Sequence, residues 1–284
     1  MDQKIINLFD RFTHGGMNRR DFMEKLSVLV GSTAAASALL PVLENNYAHA
    51  DILSEGDPRI TVQNLDYAGG KGYFVTPKAE GKYPGVIVIH ENRGLNPHIK
   101  DVTRRMAAEG FAALAPDYLA ELGGTPEDAD KAREMIGALK PEGIVASSQA
   151  ALAAVKTSAA SNGKSGAVGF CWGGGAVNAL AVADASLSAG VAYYGRQAPD
   201  ADVSKITAPL MLHYASLDER INAGIPAFEA ALKAAGKTYE LHMYEGANHA
   251  FNNDTNAARY SKEAADLAWG RTVAFLKKHA GGMA

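Results

Sequence analysis

The 284-residue sequence predicts an α/β fold: a mostly parallel central sheet with helices on both faces. Three observations lead there. Gly85-Val86-Ile87-Val88-Ile89-His90 is a near-continuous β-branched run, the pattern of a strand buried on both faces. Short apolar runs of the same kind recur along the chain, separated by helical stretches of ten or more residues. Nucleophile, acid and histidine then stand in sequence just after successive strands, where such sheets place their ligand sites.

Composition sets the outer bounds. With 47% hydrophobic residues the chain has ample material for a core, and a net charge of −3 removes any electrostatic reason to expect nucleic acid. Lysines and arginines are scattered, and no internal repeat, heptad seam or low-complexity tract is present.

Residues 1–50 read as an address. The adjacent pair Arg19-Arg20 precedes a mildly apolar stretch, Leu26 to Leu43, diluted by Gly31, Ser32, Thr33 and alanines. It ends in Ala48-His49-Ala50, an A-x-A pattern of small residues. The pattern resembles a twin-arginine export signal cleaved after Ala50, handled by the twin-arginine translocation machinery. The mature domain, 51–284, is then expected in the periplasm, without stable membrane association. The competing expectation is an uncleaved N-terminal anchor, because the stretch is about long enough to span. Pro41, the glycine and the hydroxyl residues weaken that insertion.

Along the mature region, a β-like stretch at 60–67 is followed by a strand closing on Val75-Thr76-Pro77, and then by the run ending at His90. "NPHIKDVTRRMAAEGF" has helical spacing, and "AALAPDY" is a buried-type strand. Two helical stretches follow, "EDADKAREMIGAL" and "EGIVASSQAALAAVKTSA". "SGAVGF" is a strand and "GGGAVNALAVADA" a helix; "SAGVAYYG" and "APLMLHYASLD" are strands. "IPAFEAALKAAG" is a helix, "YELHMYEG" the last strand, and "SKEAADLAWGRTVAFLKKH" a long C-terminal helix.

Gly169-Phe170-Cys171-Trp172-Gly173 lies between a strand and a helix and fits G-x-S-x-G with cysteine in place of serine. The flanking glycines leave room for a sharp turn, and the following helix N-terminus favours a thiolate. Cys171 is the only cysteine, so it pairs with nothing in the chain. It is either a buried hydrophobe or a reactive thiol. Asp218 in "ASLDER" and His249 in "GANHAF" stand past the next strands, in α/β-hydrolase order. His249 would hold Cys171 as a thiolate or take its proton, and Asp218 would fix the imidazole tautomer and stabilise the imidazolium. His98, His213, His242 and His279 are expected to be structural. "HENRG" is not a zinc-protease motif, because Gly94 stands four residues after His90; neither metal nor cofactor is expected.

Taken as a set, "HENRGL", "APDYL", "GFCWGGG", "YYGRQAP", "ASLDERI" and "GANHAF" resemble the dienelactone hydrolase family of α/β-hydrolases, carboxymethylenebutenolidase-like, in its branch with twin-arginine signals. The resemblance covers roughly residues 58–280. It implies Cys171, Asp218 and His249 as the triad and Glu91 as the carboxylate that contacts the thiol. The oxyanion hole would be formed by the backbone N–H groups of Asn92 and Trp172. The family's two carboxylate-binding arginines are absent: Asn253 and Glu121 stand at those positions. Arg93 and Arg196, both at strand ends, offer a relocated anion contact or are ordinary surface arginines. The expected activity is hydrolysis of small-molecule esters or lactones through an acyl-enzyme. The alternative is a non-hydrolytic, redox-responsive or electrophile-binding protein on the same fold.

Overall fold

The computed structural model describes residues 1–281. Eight strands form one sheet: β1 (Ile60–Tyr67), β2 (Gly70–Pro77), β3 (Tyr83–Ile89), β4 (Ala112–Pro116), β5 (Ser161–Phe170), β6 (Gly190–Tyr193), β7 (Leu210–Ala215) and β8 (Tyr239–Tyr244). Their spatial order is β1-β2-β4-β3-β5-β6-β7-β8. β1 and β2 form an antiparallel edge, and β2 meets β4 antiparallel; every later pairing is parallel. The mostly parallel sheet expected from the alternation, and the α/β-hydrolase architecture implied by the motif set, are therefore present, with strand limits close to those read from the sequence.

Side-chain alternation along β3 assigns the two faces. Val86 and Val88 enter one core with Ile99, Val102 and Met106 of α4 (Pro97–Ala108) and Phe275 and Leu276 of the C-terminal helix. Ile87 and Ile89 enter the opposite core with Leu152 and Val155, Val177 and Leu180, and Phe228 and Leu232. All four β3 side chains are 0% exposed. Each such burial stabilises the fold by roughly 1.5–3 kcal/mol, and this is why the run is apolar on both sides.

Local signals place the helices. Asn96 caps α4 by accepting from Ile99 N, and Pro97 takes the first helical position, where no N–H is needed. Downstream lie α5 (Ala129–Gly137), α6 (Pro141–Thr157), α7 (Trp172–Ala183), the short α8 (Glu219–Asn222), α9 (Ile225–Ala234) and α10 (Lys262–Ala280).

The first fifty residues also have structure: α1 (Gln3–Thr13), α2 (Arg19–Val30) and α3 (Thr33–Leu43). The apolar stretch is not one helix. Gly31, in the left-handed region at φ 86°, ends α2, and α3 leaves at 111° to it. Among the described residues no single helix is long and apolar enough to cross a membrane. These helices share a separate small core of Phe9, Phe12, Phe22, Leu26, Ala36 and Leu43. They lie over the carboxyl ends of the strands.

The turn from β5 into α7 is the tightest packing in the sheet. A Cβ on Gly169 would strike the backbone of Gly173, and one on Gly173 would come within 2.5 Å of His90 O. Gly175, one residue beyond Gly174 in the same helix, would meet nothing closer than 3.5 Å. Gly173→Ala should therefore lower stability by about 1–3 kcal/mol in urea unfolding, because backbone cannot yield as a side chain does. Gly175→Ala should be neutral or stabilising by up to about 1 kcal/mol, from helix propensity alone. Equal effects from the two substitutions would contradict this account of the turn.

Candidate active site

Cys171 joins β5 to α7 with φ 55° and ψ −114°, a conformation few L residues adopt. The backbone is held there by Cys171 N donating to Tyr193 O at 3.0 Å and by Gly175 N donating to Cys171 O at 3.2 Å. The two other non-glycine residues with positive φ among those described, Tyr194 (38°) and Ala250 (65°), also border this site. The Tyr194 ring lies 5.0 Å from the His249 ring, and Ala250 lines the cavity at the thiol.

The structure brings the three predicted triad residues together. His249 Nδ1 donates to Asp218 Oδ2 at 2.6 Å, and both residues are only 4% exposed. Asp218 Oδ1 accepts from Ile221 N, which fixes the carboxylate at the start of α8. The pairing leaves His249 Nε2 without a hydrogen-bond partner. A ring nitrogen of His249 lies within 4.8 Å of Cys171 Sγ, and because Nδ1 is committed to Asp218, Nε2 is the free one. A buried Asp–His pair of this kind fixes the imidazole tautomer and the direction in which its Nε2 points.

Glu91 follows β3 and lines the same cavity. Its Oε2 accepts from Asn253 Nδ2 at 2.7 Å, while Oε1 has no partner. Asn253, where the resembling family carries an arginine, thus holds a carboxylate of this chain. Glu121 is exposed in a turn after β4 and does not line the cavity. Trp172 is the first residue of α7, so its N–H is one of the orphan donors of a helix start. Its ring stacks on His90 at 5.3 Å beneath the turn. Asn92 lies at the cavity wall. Of the two strand-end arginines, Arg93 is 8% exposed and lines the cavity, whereas Arg196 is exposed and does not. His98 and His213 are buried in hydrogen bonds elsewhere, His98 to Asp254 and His213 to Tyr244 and Thr272.

Two contributors escape the sequence reading. Arg259 is 8% exposed on the cavity wall, with its guanidinium over the Phe9 ring at 5.2 Å. Burial pulls its pKa down, against the pull of Asp10 and Glu91. Its only sequence signal is an arginine in the loop after the triad histidine.

The second contributor is the N-terminal segment itself. His14 Nε2 lies 3.2 Å from Cys171 Sγ, the one side-chain hydrogen bond to the sulfur among the described residues. Asn92 Nδ2 donates to Thr13 O at 2.7 Å, Gln3 Nε2 to Asn248 Oδ1 at 2.6 Å, and Asn256 Nδ2 to Leu43 O at 2.8 Å. Asp10 pairs with Arg220 at 3.2 Å and lies 3.9 Å from Arg259. The remaining cavity at the thiol, bounded by His14, Glu91, Arg93, Cys171 and His249, is about 10 Å³. That is space for about one water and none for an ester. With the first fifty residues read as an address, no residue type could have directed attention to His14.

The contact is electrostatic as well as steric. Burial disfavours a charged His14, but Cys171 and Asp10 outweigh it and raise the pKa above the usual 6.5, with His249 opposing. Asp10 is also buried, yet His249, His14 and Arg220 hold it well below the usual carboxylate range, so it stays ionised throughout. A raised folded-state pKa means that the His14 contribution to docking is complete below about pH 6.5 and lost as pH rises through the elevated value. Tryptic cleavage within residues 1–30, normalised to a peptide control, should therefore accelerate from pH 6 to pH 9. A flat ratio would remove His14 charge from the docking.

Comparison with known proteins agrees with this geometry. Residues 71–280 match the model of the dienelactone hydrolase family, and residues 1–31 match a YqhI-like model. A Saccharolobus solfataricus protein named for carboxymethylenebutenolidase is 33% identical over 249 residues, covering 75% of this chain and 95% of its own. The Escherichia coli hydrolase fragment YghX is 47% identical over 107 residues, 35% of this chain and 92% of its own. The crystal structure of a dienelactone hydrolase from Klebsiella pneumoniae superposes with a TM-score of 0.71 at 27% identity, covering 77% of this chain and 99% of that one. A domain match this long, on this sheet, with cysteine, aspartate and histidine at its strand ends, settles kinship: the chain belongs to the dienelactone hydrolase family of α/β-hydrolases.

Proposed function

We propose that the protein hydrolyses small-molecule esters or lactones with Cys171 as nucleophile, His249 as proton carrier and Asp218 as its orienting partner. The observation that carries this reading is the buried 2.6 Å His249–Asp218 pair beside a cysteine on a strained strand-to-helix turn. The Cys171 thiol gives its proton to His249 Nε2, and the sulfur adds to the substrate carbonyl. The N–H groups of Asn92 and Trp172 take the oxyanion. His249 then protonates the leaving alcohol, giving a thioester acyl-enzyme. Water, deprotonated by His249, cleaves it and restores the thiol. Glu91 lines the same cavity as the sulfur and leaves its Oε1 without a partner there, where it meets the polar end of a substrate.

Substrate reaches this site only when residues 1–50 have moved, given the 10 Å³ left at the thiol. The export reading supplies one route. Arg19-Arg20 and Ala48-His49-Ala50 support a twin-arginine leader, and cleavage after Ala50 would detach all three covering helices. The two main apolar cores begin at Leu53, so the domain loses none of their members with the leader. Intact mass of protein recovered from the periplasm should correspond to a chain starting at Asp51. A full-length chain confined to the cytoplasm would overturn export.

Turnover of a chromogenic short-chain ester tests the chemistry. Cys171→Ala and His249→Ala should each lower kcat by at least about a thousandfold. A chain starting at Asp51 should exceed the full chain in kcat/KM by more than about tenfold, since a closed site lowers apparent affinity by the open fraction. Activity that survives Cys171→Ala would sink the mechanism. Arg93 supports an anion contact: Arg93→Ala should cost anionic esters about 10- to 100-fold more than neutral ones, and Arg196→Ala should cost neither. Equal losses on both ester types would remove that role.

A further inference from the structure

The hydrolytic mechanism needs one imidazole at the sulfur, and the structure places two. Cys171 Sγ and one ring nitrogen each of His14 and His249 lie within 4.8 Å of one another. Both imidazoles are backed at Nδ1 by an aspartate. His249 is held by the Asp218 carboxylate at 2.6 Å; His14 donates to Asp10 main-chain O at 2.8 Å and stands 3.1 Å from its carboxylate. Each therefore presents Nε2 to the sulfur, and His249 Nε2, in a residue 4% exposed, has no hydrogen-bond partner. Imidazoles held at Nδ1 by a carboxylate or a main-chain carbonyl, with Nε2 turned toward a shared thiol, form the arrangement found around bound zinc.

We propose that His14, Cys171 and His249 form a site for a divalent transition-metal ion of the zinc type, assembled only when the N-terminal segment is docked, so that the ion holds the hydrolase closed. The inference rests on the reading of Cys171 and His249 as nucleophile and base. One thiolate and two imidazoles suit zinc, whereas magnesium and calcium require oxygen ligands. Zn–S and Zn–N bonds of about 2.3 and 2.0–2.1 Å at a tetrahedral angle imply ligand separations of roughly 3.5 Å. The His14–Cys171 separation is 3.2 Å and no pair exceeds 4.8 Å, so side-chain adjustment closes the shell. The 10 Å³ cavity has room for one guest of about water size, which here is the ion, and Glu91, whose Oε1 is unpartnered, stands on its wall as a candidate fourth ligand.

Around the cluster Glu91, Asp10 and Asp218 are matched by Arg93, Arg259 and Arg220, so the negative charge that draws a dication is the thiolate itself. A cleft of about 530 Å³ between α1 and α8, lined by residues that include Asp10, Arg220 and His249, gives an ion access. Binding replaces the thiol proton of Cys171 and any proton on His14, both released to solvent, with no change of oxidation state. While the ion is bound, the sulfur lone pair and His249 Nε2 are both engaged, so neither attack nor proton transfer proceeds. Loss of the ion returns both groups and frees the segment to move.

The test uses the full chain, stripped with a chelator, then titrated with zinc chloride by calorimetry alongside elemental analysis. One equivalent should bind, and ester turnover by the same protein should fall in proportion and return on chelation. His14→Ala should weaken zinc binding by at least about 100-fold, and His14→Gln, which preserves a hydrogen-bonding group of similar reach, should do the same. Cobalt substitution should show a thiolate-to-cobalt charge-transfer band that Cys171→Ser abolishes. No stoichiometric binding, or His14 variants that bind zinc as tightly as the parent, would overturn the site. Turnover by a chain starting at Asp51, which lacks His14, is a separate readout. If it is absent while the full chain binds zinc through His14, the hydrolytic reading fails and the metal site stands.

Discussion

The candidate active site hangs on the turn at Cys171, where three pieces of backbone meet too closely to admit a Cβ. Gly169 and Gly173 let β3, β5 and the start of α7 approach one another, and that approach forces Cys171 into positive φ. Such a conformation costs about 1–3 kcal/mol and persists only where the surroundings over-determine it. Here they do: β3 and β5 lie at the centre of the sheet, buried on both faces, and Cys171 N is tied to β6. Stability from two apolar cores is thus converted into a sulfur presented at the start of a helix.

From that fixed point the parallel sheet supplies the rest. β7 and β8 run beside one another, so the loops that follow them leave at the same edge, and Asp218 meets His249 there. Glu91 arrives from the end of β3 by the same logic. These residues come from four separate strand ends, and no local interaction relates them. Parallel register alone sets their common position.

The N-terminal helices are arranged differently. Their apolar residues pack among themselves, and their polar groups reach down to the strand-end loops through His14, Asp10, Thr13 and Gln3. A surface held mainly by ion pairs and hydrogen bonds, with its own core kept apart, separates at lower cost than a shared apolar interface. Coverage of the triad and reversibility of that coverage are therefore compatible. The charge balance around the sulfur, with two imidazoles, several carboxylates and two arginines in one small space, makes proton or ion occupancy the natural control on whether the lid stays down.

Much of this was legible before any fold was known. The double-sided β-branched run of β3, the glycine-flanked cysteine, and the aspartate and histidine after the last two strands are local patterns, each imposed by the environment of its own strand or turn. Arg93 and Arg196 looked equivalent because both follow strands; only the path of each loop made one a cavity residue and the other a surface one. Arg259 and His14 had no periodicity or motif to mark them. Asn253 read as a missing arginine, and tertiary structure turned it into the partner of Glu91. The amino-acid sequence by itself determined the layers, the order of strands and helices along the chain, and the sharp glycine-flanked turn that carries Cys171, because burial and backbone strain act over a few residues. Only the folded chain decided what faces the thiol, since contact between residues 14 and 171 depends on how separate elements pack and on nothing that either neighbourhood contains.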